Sequence, residues 1–253
     1  MICFVAVPPV AQDPRYHEFA DTRGFHSVPN FWNVISNVPF FLVALYGTKN
    51  LRLRLAFVEP WERIAYGVLL AGTAAVGAGS ICYHLQPNDA RLVWDRLPMT
   101  VVFMSLLAST VGERVSMKAG RALLLPMILL GLGSVLYWRS SGDLRPYCAV
   151  QFGSMLAMPF ILARFPSRYS AAGRVWGTVL LYALAKVVEL LDHEIASWIA
   201  MGGHPWKHLI AAGAVALYVS AIGRRRPQEI APMALGGGGC RLATSEPKRL
   251  SAR

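Results

Sequence analysis

The chain has 253 residues, of which 55% are hydrophobic and only 15% charged, and its mean hydropathy is +0.41, too apolar for an ordinary soluble enzyme or a disordered chain. Twenty-five Lys and Arg against 14 Asp and Glu leave a formal charge of +11. In a soluble chain that excess would indicate nucleic acid; placed beside long apolar stretches it indicates lipid headgroups and no nucleic-acid partner.

The opening run MICFVAVPPV is too short to span a bilayer and lacks the basic leader and small-residue cleavage site of a signal peptide, so residues 1–30 are expected to form an external segment. Apolar stretches of roughly 20 residues, the length that crosses about 30 Å of hydrocarbon, follow near 31–48, 64–84, 95–112, 121–138, 146–163, 175–191 and 204–223. They predict an all-α, multi-pass integral membrane protein, a seven-transmembrane helix bundle over residues 31–223. After Gly223 the run Arg224-Arg225-Arg226 and four consecutive glycines, Gly236 to Gly239, predict a disordered basic tail over 224–253, held near anionic headgroups. Counted on alternate sides of seven spans, 17 basic residues fall with the C-terminus and seven with the N-terminus. The positive-inside rule therefore expects a cytoplasmic C-terminus and an external N-terminus. The four Cys form no C-x-x-C pair, and neither an internal repeat nor a phosphate-binding glycine loop occurs.

Polar residues that a membrane bundle does not need are functional candidates, because each is costly in hydrocarbon. The second span ends Gly79-Ser80-Ile81-Cys82-Tyr83-His84, and the third opens Trp94-Asp95-Arg96-Leu97-Pro98-Met99. Ser80 and His84 are four apart, on one helix face. At the start of the seventh span, His204-Pro205-Trp206-Lys207-His208 places two imidazoles at i, i+4. That spacing suits either a helical metal site or an interfacial pair beside Trp206. With His84 on the same side there are three imidazoles and one nearby carboxylate, Asp95, which matches a catalytic zinc site with one open position. The stripe Asn30, Asn33 and Asn37, with Ser36 beside it, is expected to act as interhelical glue. Lys186 and Glu189 are expected to neutralise each other, with Glu189 near enough to reach a cavity, and Asp143 with Arg145 reads as a solvated loop pair.

These stretches together resemble the alkaline ceramidase family: Asn33 to Asn37 is similar to its N-x-x-S-N, Asp95 to Met99 to its D-E-L-P-M, and His204-x-x-x-His208, with Tyr218 further on, to its final histidine pair. The resemblance runs over about residues 13 to 223. It implies zinc held by His84, His204 and His208, with Asp95 as the catalytic acid and base and Ser80 as a donor to the developing oxyanion. It also implies a metal-dependent hydrolase that cleaves the amide of a membrane lipid, ceramide or a related N-acyl lipid. Two departures count against the calcium site of the eukaryotic members: Asn30 stands where they carry a calcium-binding Glu, and the segment Ala20-Asp21-Thr22-Arg23 lacks their acidic density. Arg96 likewise replaces the Glu that follows their Asp. A second reading is a seven-helix lipid-binding or receptor-like protein without catalysis, its zinc purely structural. Oligomeric state is not legible in the sequence.

Overall fold

A computed structural model describes residues 8–228. These fold into helices throughout, α1 (Phe31–Ile35), α2 (Val38–Gly47), α3 (Pro60–Leu85), α4 (Asp89–Arg114), α5 (Met117–Ser141), α6 (Arg145–Arg164), α7 (Ala172–Leu190), the short α8 (Asp192–Ala196) and α9 (Gly203–Arg224). The segments Phe31–Arg52, Pro60–Leu85, Asp89–Arg114, Met117–Ser141, Arg145–Arg164 and Gly203–Arg224 are long and apolar enough to cross a membrane. Helix α7 runs between the same two ends of the bundle, but over its 19 residues it carries Arg174, Lys186 and Glu189. The architecture is an all-α membrane bundle, with six of the seven expected spans meeting the criterion of length and apolarity. Large apolar residues such as Leu45, Leu156, Phe160 and Leu180 lie on its outside, as lipid contact requires.

Local chemistry sets the helix ends. Helix α3 begins with a reciprocal capping box between Glu59 and Glu62 and with Pro60 in its first turn, while α4 is capped by Asn88, whose side chain accepts from the Arg91 amide at 3.0 Å. The first predicted span is not continuous. It breaks at Ser36-Asn37 because Pro39 has no N–H to donate to the Ile35 carbonyl and its ring crowds that turn. Pro98 acts more gently inside α4: it leaves the Trp94 carbonyl without its helical donor, and α3 comes so close there that a Cβ on Gly79 would collide with that oxygen. Gly79 and Trp94 thus fix the approach of the two helices one residue away from Ser80 and Asp95.

The two ends of the bundle are tied differently. At one end the segment 8–30 is stitched over the helices: Val10 N–H donates to Asp143 at 3.3 Å, His17 bridges the Tyr83 hydroxyl and Asp89, and Ala20 N–H donates to Asp192 at 3.0 Å. Asp143, expected as half of a solvated pair, is in fact only 3% exposed, and hydrogen bonds from Arg145 hold its carboxyl down at about 2. Asp21 is likewise held below the usual carboxylate range by the Arg23 guanidinium. At the other end Glu62 gathers the Val58 and Glu59 amides, the Tyr169 hydroxyl and Arg225. The chain stays packed past Gly223, with Arg225 buried between Phe57 and Tyr169 and the Gln228 amide donating to the Arg168 carbonyl at 2.8 Å. The remainder of the expected tail lies outside the described residues.

Candidate metal centre

Helix α3 delivers His84 from its last turn and α9 delivers His204 and His208 from its first two. All three are buried, and one ring nitrogen of each lies within 4.8 Å of the others. The ring centroids form a nearly equilateral triangle of 5.0, 4.9 and 5.0 Å with the rings steeply tilted, so nitrogens rather than ring faces turn toward one another. His84 Nε2 and His208 Nε2 are 3.3 Å apart. A tetrahedral zinc with nitrogens at 2.0–2.1 Å places neighbouring ligand atoms about 3.3–3.4 Å apart, so this pair fits one. Three neutral imidazoles and no thiolate also fit an ion that keeps a position open for chemistry.

The surroundings orient the rings. Ser36 Oγ lies 2.8 Å from His208 Nδ1 and Asn37 Nδ2 3.3 Å from it, which turns Nε2 toward His84. This is the outer-shell support that metal-binding histidines use. Both residues sit at the break in the first span, Ser36 closing α1 and Asn37 preceding α2. Asp192 spans the gap between segments, accepting from the His204 amide at 2.8 Å and from the Ala20 amide at 3.0 Å. Phe19 lies over the cluster with its ring 4.8 Å from His84 and 4.5 Å from His204. His84 Nδ1 is buried with no hydrogen-bond partner among the described residues.

The asparagine stripe behaves as glue in part. Asn30 donates to the His84 carbonyl at 2.9 Å, Asn33 to the Asp21 carbonyl at 3.0 Å and Asn37 to Asn33 at 2.7 Å. Both Asp21 carboxylate oxygens accept from the Arg23 side chain.

Beside the histidines opens a chamber of about 1280 Å³, mouth included. Its end near the cluster is polar, lined by Ser80, Asp95, Lys186, Glu189, Lys207 and His208, while Met99, Val102, Leu106, Met158 and Val215 make the deep end apolar. Asp95 sits about two turns inside α4, not at its cap, and lines the chamber together with Ser80, whose hydroxyl is near enough to interact with the carboxyl. Glu189 holds not one lysine but two, Lys186 on its own helix and Lys207 across at 3.0 Å. Lys207 was not legible as a site residue, because at a span's end it looks like any interfacial cation. The N-terminal cover of Phe19 and Tyr16 carried no periodic signal either.

A buried triangle of imidazoles at the polar end of an apolar chamber, in an all-helical membrane bundle, is an arrangement suited to hydrolysing a lipid at its headgroup. A search of curated proteins finds no match for the chain. The family model described as Ceramidase matches residues 25–223, which takes in α1 to α8, all of α9 but its last residue, and all three histidines, and the chain belongs to the Ceramidase family.

Proposed function

We propose that the protein is a zinc-dependent intramembrane amidase that hydrolyses ceramide or a related N-acyl lipid to a fatty acid and a free amine. The observation that carries this is the 3.3 Å separation of His84 Nε2 and His208 Nε2 within the three-histidine cluster, at the polar end of an otherwise largely apolar chamber. His84, His204 and His208 would hold the ion. A zinc ion there supplies Lewis acidity, making water a stronger nucleophile and drawing charge from the amide oxygen. The chain's own groups do the rest. The apolar part of the chamber takes a hydrocarbon chain and leaves the amide at the polar end beside the histidines. Asp95, oriented by Ser80, takes a proton from the attacking water as the new C–O bond forms and returns it to the nitrogen as the C–N bond breaks. Phe19 and the segment around it keep bulk water from the imidazoles.

Purified protein should contain about one zinc per chain and release fatty acid from ceramide in detergent, and His204→Ala or His208→Ala should remove both properties. Full zinc occupancy in both variants would refute the site. A protein that holds zinc and hydrolyses no N-acyl lipid would be a lipid-binding protein instead. We also place the C-terminal end of the bundle in the cytoplasm, from the 17 basic residues on that side against seven. A reporter fused to the C-terminus and found outside would reverse that orientation.

A further inference from the structure

Past its polar end the chamber wall is mostly apolar, and two of its polar side chains meet there across a helix boundary. Gln151 on α6 donates from Nε2 to the Tyr182 hydroxyl on α7 at 3.2 Å, and both side chains line the chamber. Gln151 is 5% exposed, and its Oε1 has no hydrogen-bond partner among the described residues. The Tyr182 hydroxyl accepts from Gln151 but finds no acceptor among them for its own hydrogen. Neighbouring hydroxyls are already used: Thr73, Ser154 and Thr178 each donate to the carbonyl one turn back on their own helix. The helical rise locates the pair. Glu189 marks the polar end, since it accepts from Lys207 at 3.0 Å and Lys207 Nζ lies 3.1 Å from His204 Nε2. Tyr182 comes two turns before Glu189 on α7, about 10 Å further from the histidines. Gln151 lies about 9 Å inside the start of α6, which the segment 8–30 ties to the histidine end.

Water can serve these two groups only until a hydrocarbon chain fills the chamber. A plain chain expels it and strands an acceptor and a donor in apolar surroundings, each at the cost of an unmade hydrogen bond. A chain with a hydroxyl at that depth satisfies both, because a hydroxyl donates and accepts, and it suits the Gln151 amide whichever end faces the chamber. With carbon bonds of about 1.5 Å, a point about 10 Å from the amide falls near the middle of a stearoyl chain. We infer that Gln151 and Tyr182 form a subsite for a hydroxyl part-way along the acyl chain, so that the preferred N-acyl lipid is hydroxylated near the middle of that chain. This rests on the amidase reading and narrows its substrate.

The test compares three ceramides that differ only in the acyl chain, stearoyl, 2-hydroxystearoyl and 10-hydroxystearoyl, using zinc-loaded full-length protein in detergent. The expected result is a preference of about 10- to 100-fold in kcat/KM for the 10-hydroxystearoyl lipid over the stearoyl one, the worth of a buried polar group left stranded. The 2-hydroxystearoyl lipid, whose hydroxyl stays near the amide, should behave as the stearoyl one does. Gln151→Leu should slow the 10-hydroxystearoyl lipid and speed the stearoyl one, a crossing that loss of a mere helix contact would not produce, and Tyr182→Phe should reduce the ratio. Binding is also read without hydrolysis: free 10-hydroxystearic acid should raise the thermal midpoint of wild type more than stearic acid does. The wild-type and Tyr182→Phe ratios decide the matter should Gln151→Leu fail to fold. Equal rates for the stearoyl and 10-hydroxystearoyl lipids in wild type, a preference for the 2-hydroxystearoyl lipid, or a ratio unchanged by both substitutions would overturn the subsite and leave the amidase standing. Hydrolysis of none of the three would overturn the amidase, and equal midpoint shifts with the two free acids would then overturn the subsite as well.

Discussion

Replacing Asp95 by Asn separates a proton-transfer role from a structural one. The carboxyl is 7% exposed and its partner Ser80 is 2% exposed, so the substitution acts inside the chamber wall and not at a hydrated surface. Asn keeps the volume and keeps an oxygen to accept from Ser80. Its new amide hydrogens face the chamber, and leaving one unpaired costs about 1–3 kcal/mol at most. For a chain of this size that is a fall of a few degrees in thermal midpoint. Catalysis should suffer far more, because an amide can neither take the proton from water nor return it to the nitrogen. A positioned acid–base group contributes about 10²–10⁴-fold, or about 3–5 kcal/mol of barrier. The expected result is a variant with wild-type zinc, a midpoint within a few degrees, and kcat for ceramide reduced at least about 100-fold. Zinc by elemental analysis, melting in detergent and fatty-acid release measure the three quantities. Because α4 begins at Asp89 and is capped by Asn88, helix capping offers no alternative explanation for a loss. A variant as active as wild type would refute the role.

Ser36→Ala removes the oxygen 2.8 Å from His208 Nδ1 and should weaken zinc affinity about 10- to 100-fold in a chelator competition, with the helix content unchanged. Gly79→Ala places a methyl against the Trp94 carbonyl, which is backbone and cannot turn aside; melting should show a net loss of about 1–3 kcal/mol despite the better helix propensity of Ala. Activity should fall with it, since the displaced residues adjoin Ser80 and Asp95. Acid should release the N-terminal segment: the Asp143 carboxyl that accepts from Val10 is depressed, so its anchoring is complete above about pH 4 and is lost as pH falls through the folded value, about 2. Limited proteolysis near Val10 with an acid-active protease should rise over that window, and in Asp143→Asn it should be high at every pH.

The sequence exposes what is expensive in hydrocarbon. His84, His204 and His208 stand out because imidazoles have no reason to interrupt apolar stretches, and the i, i+4 spacing puts two of them on one face before any fold is known. The run of helices is equally legible, because backbone polar groups in lipid leave little choice of structure. Ser36 is different: beside three asparagines it reads as one more small polar residue, and only the helix break at Pro39 brings it to His208. The break was open to prediction from the proline, but which side chain it would carry to the histidines was not. Glu189 was seen with one lysine because i, i+3 pairs are written in the chain, whereas Lys207 reaches it from another helix. Residues 8–30 have neither periodicity nor strong propensity, so their role as a cover emerges solely from pairs such as Phe19 with His204 and Gln12 with Arg96.

His84 and His208 are 124 residues apart in the chain, and five helices are made between them. During synthesis the first histidine must wait, buried beside a helix that has inserted, until the last helix emerges from the ribosome and threads into place. Until then the growing chain holds one imidazole where three stand together in the finished fold, and an ion that needs all three would have nowhere to settle. An ion held by all three would therefore report on completion: a chain that stalls, or inserts its last helix the wrong way round, would never acquire it. Metal loading would then coincide with the end of biogenesis, sparing unfinished chains from attacking the bilayer that is receiving them.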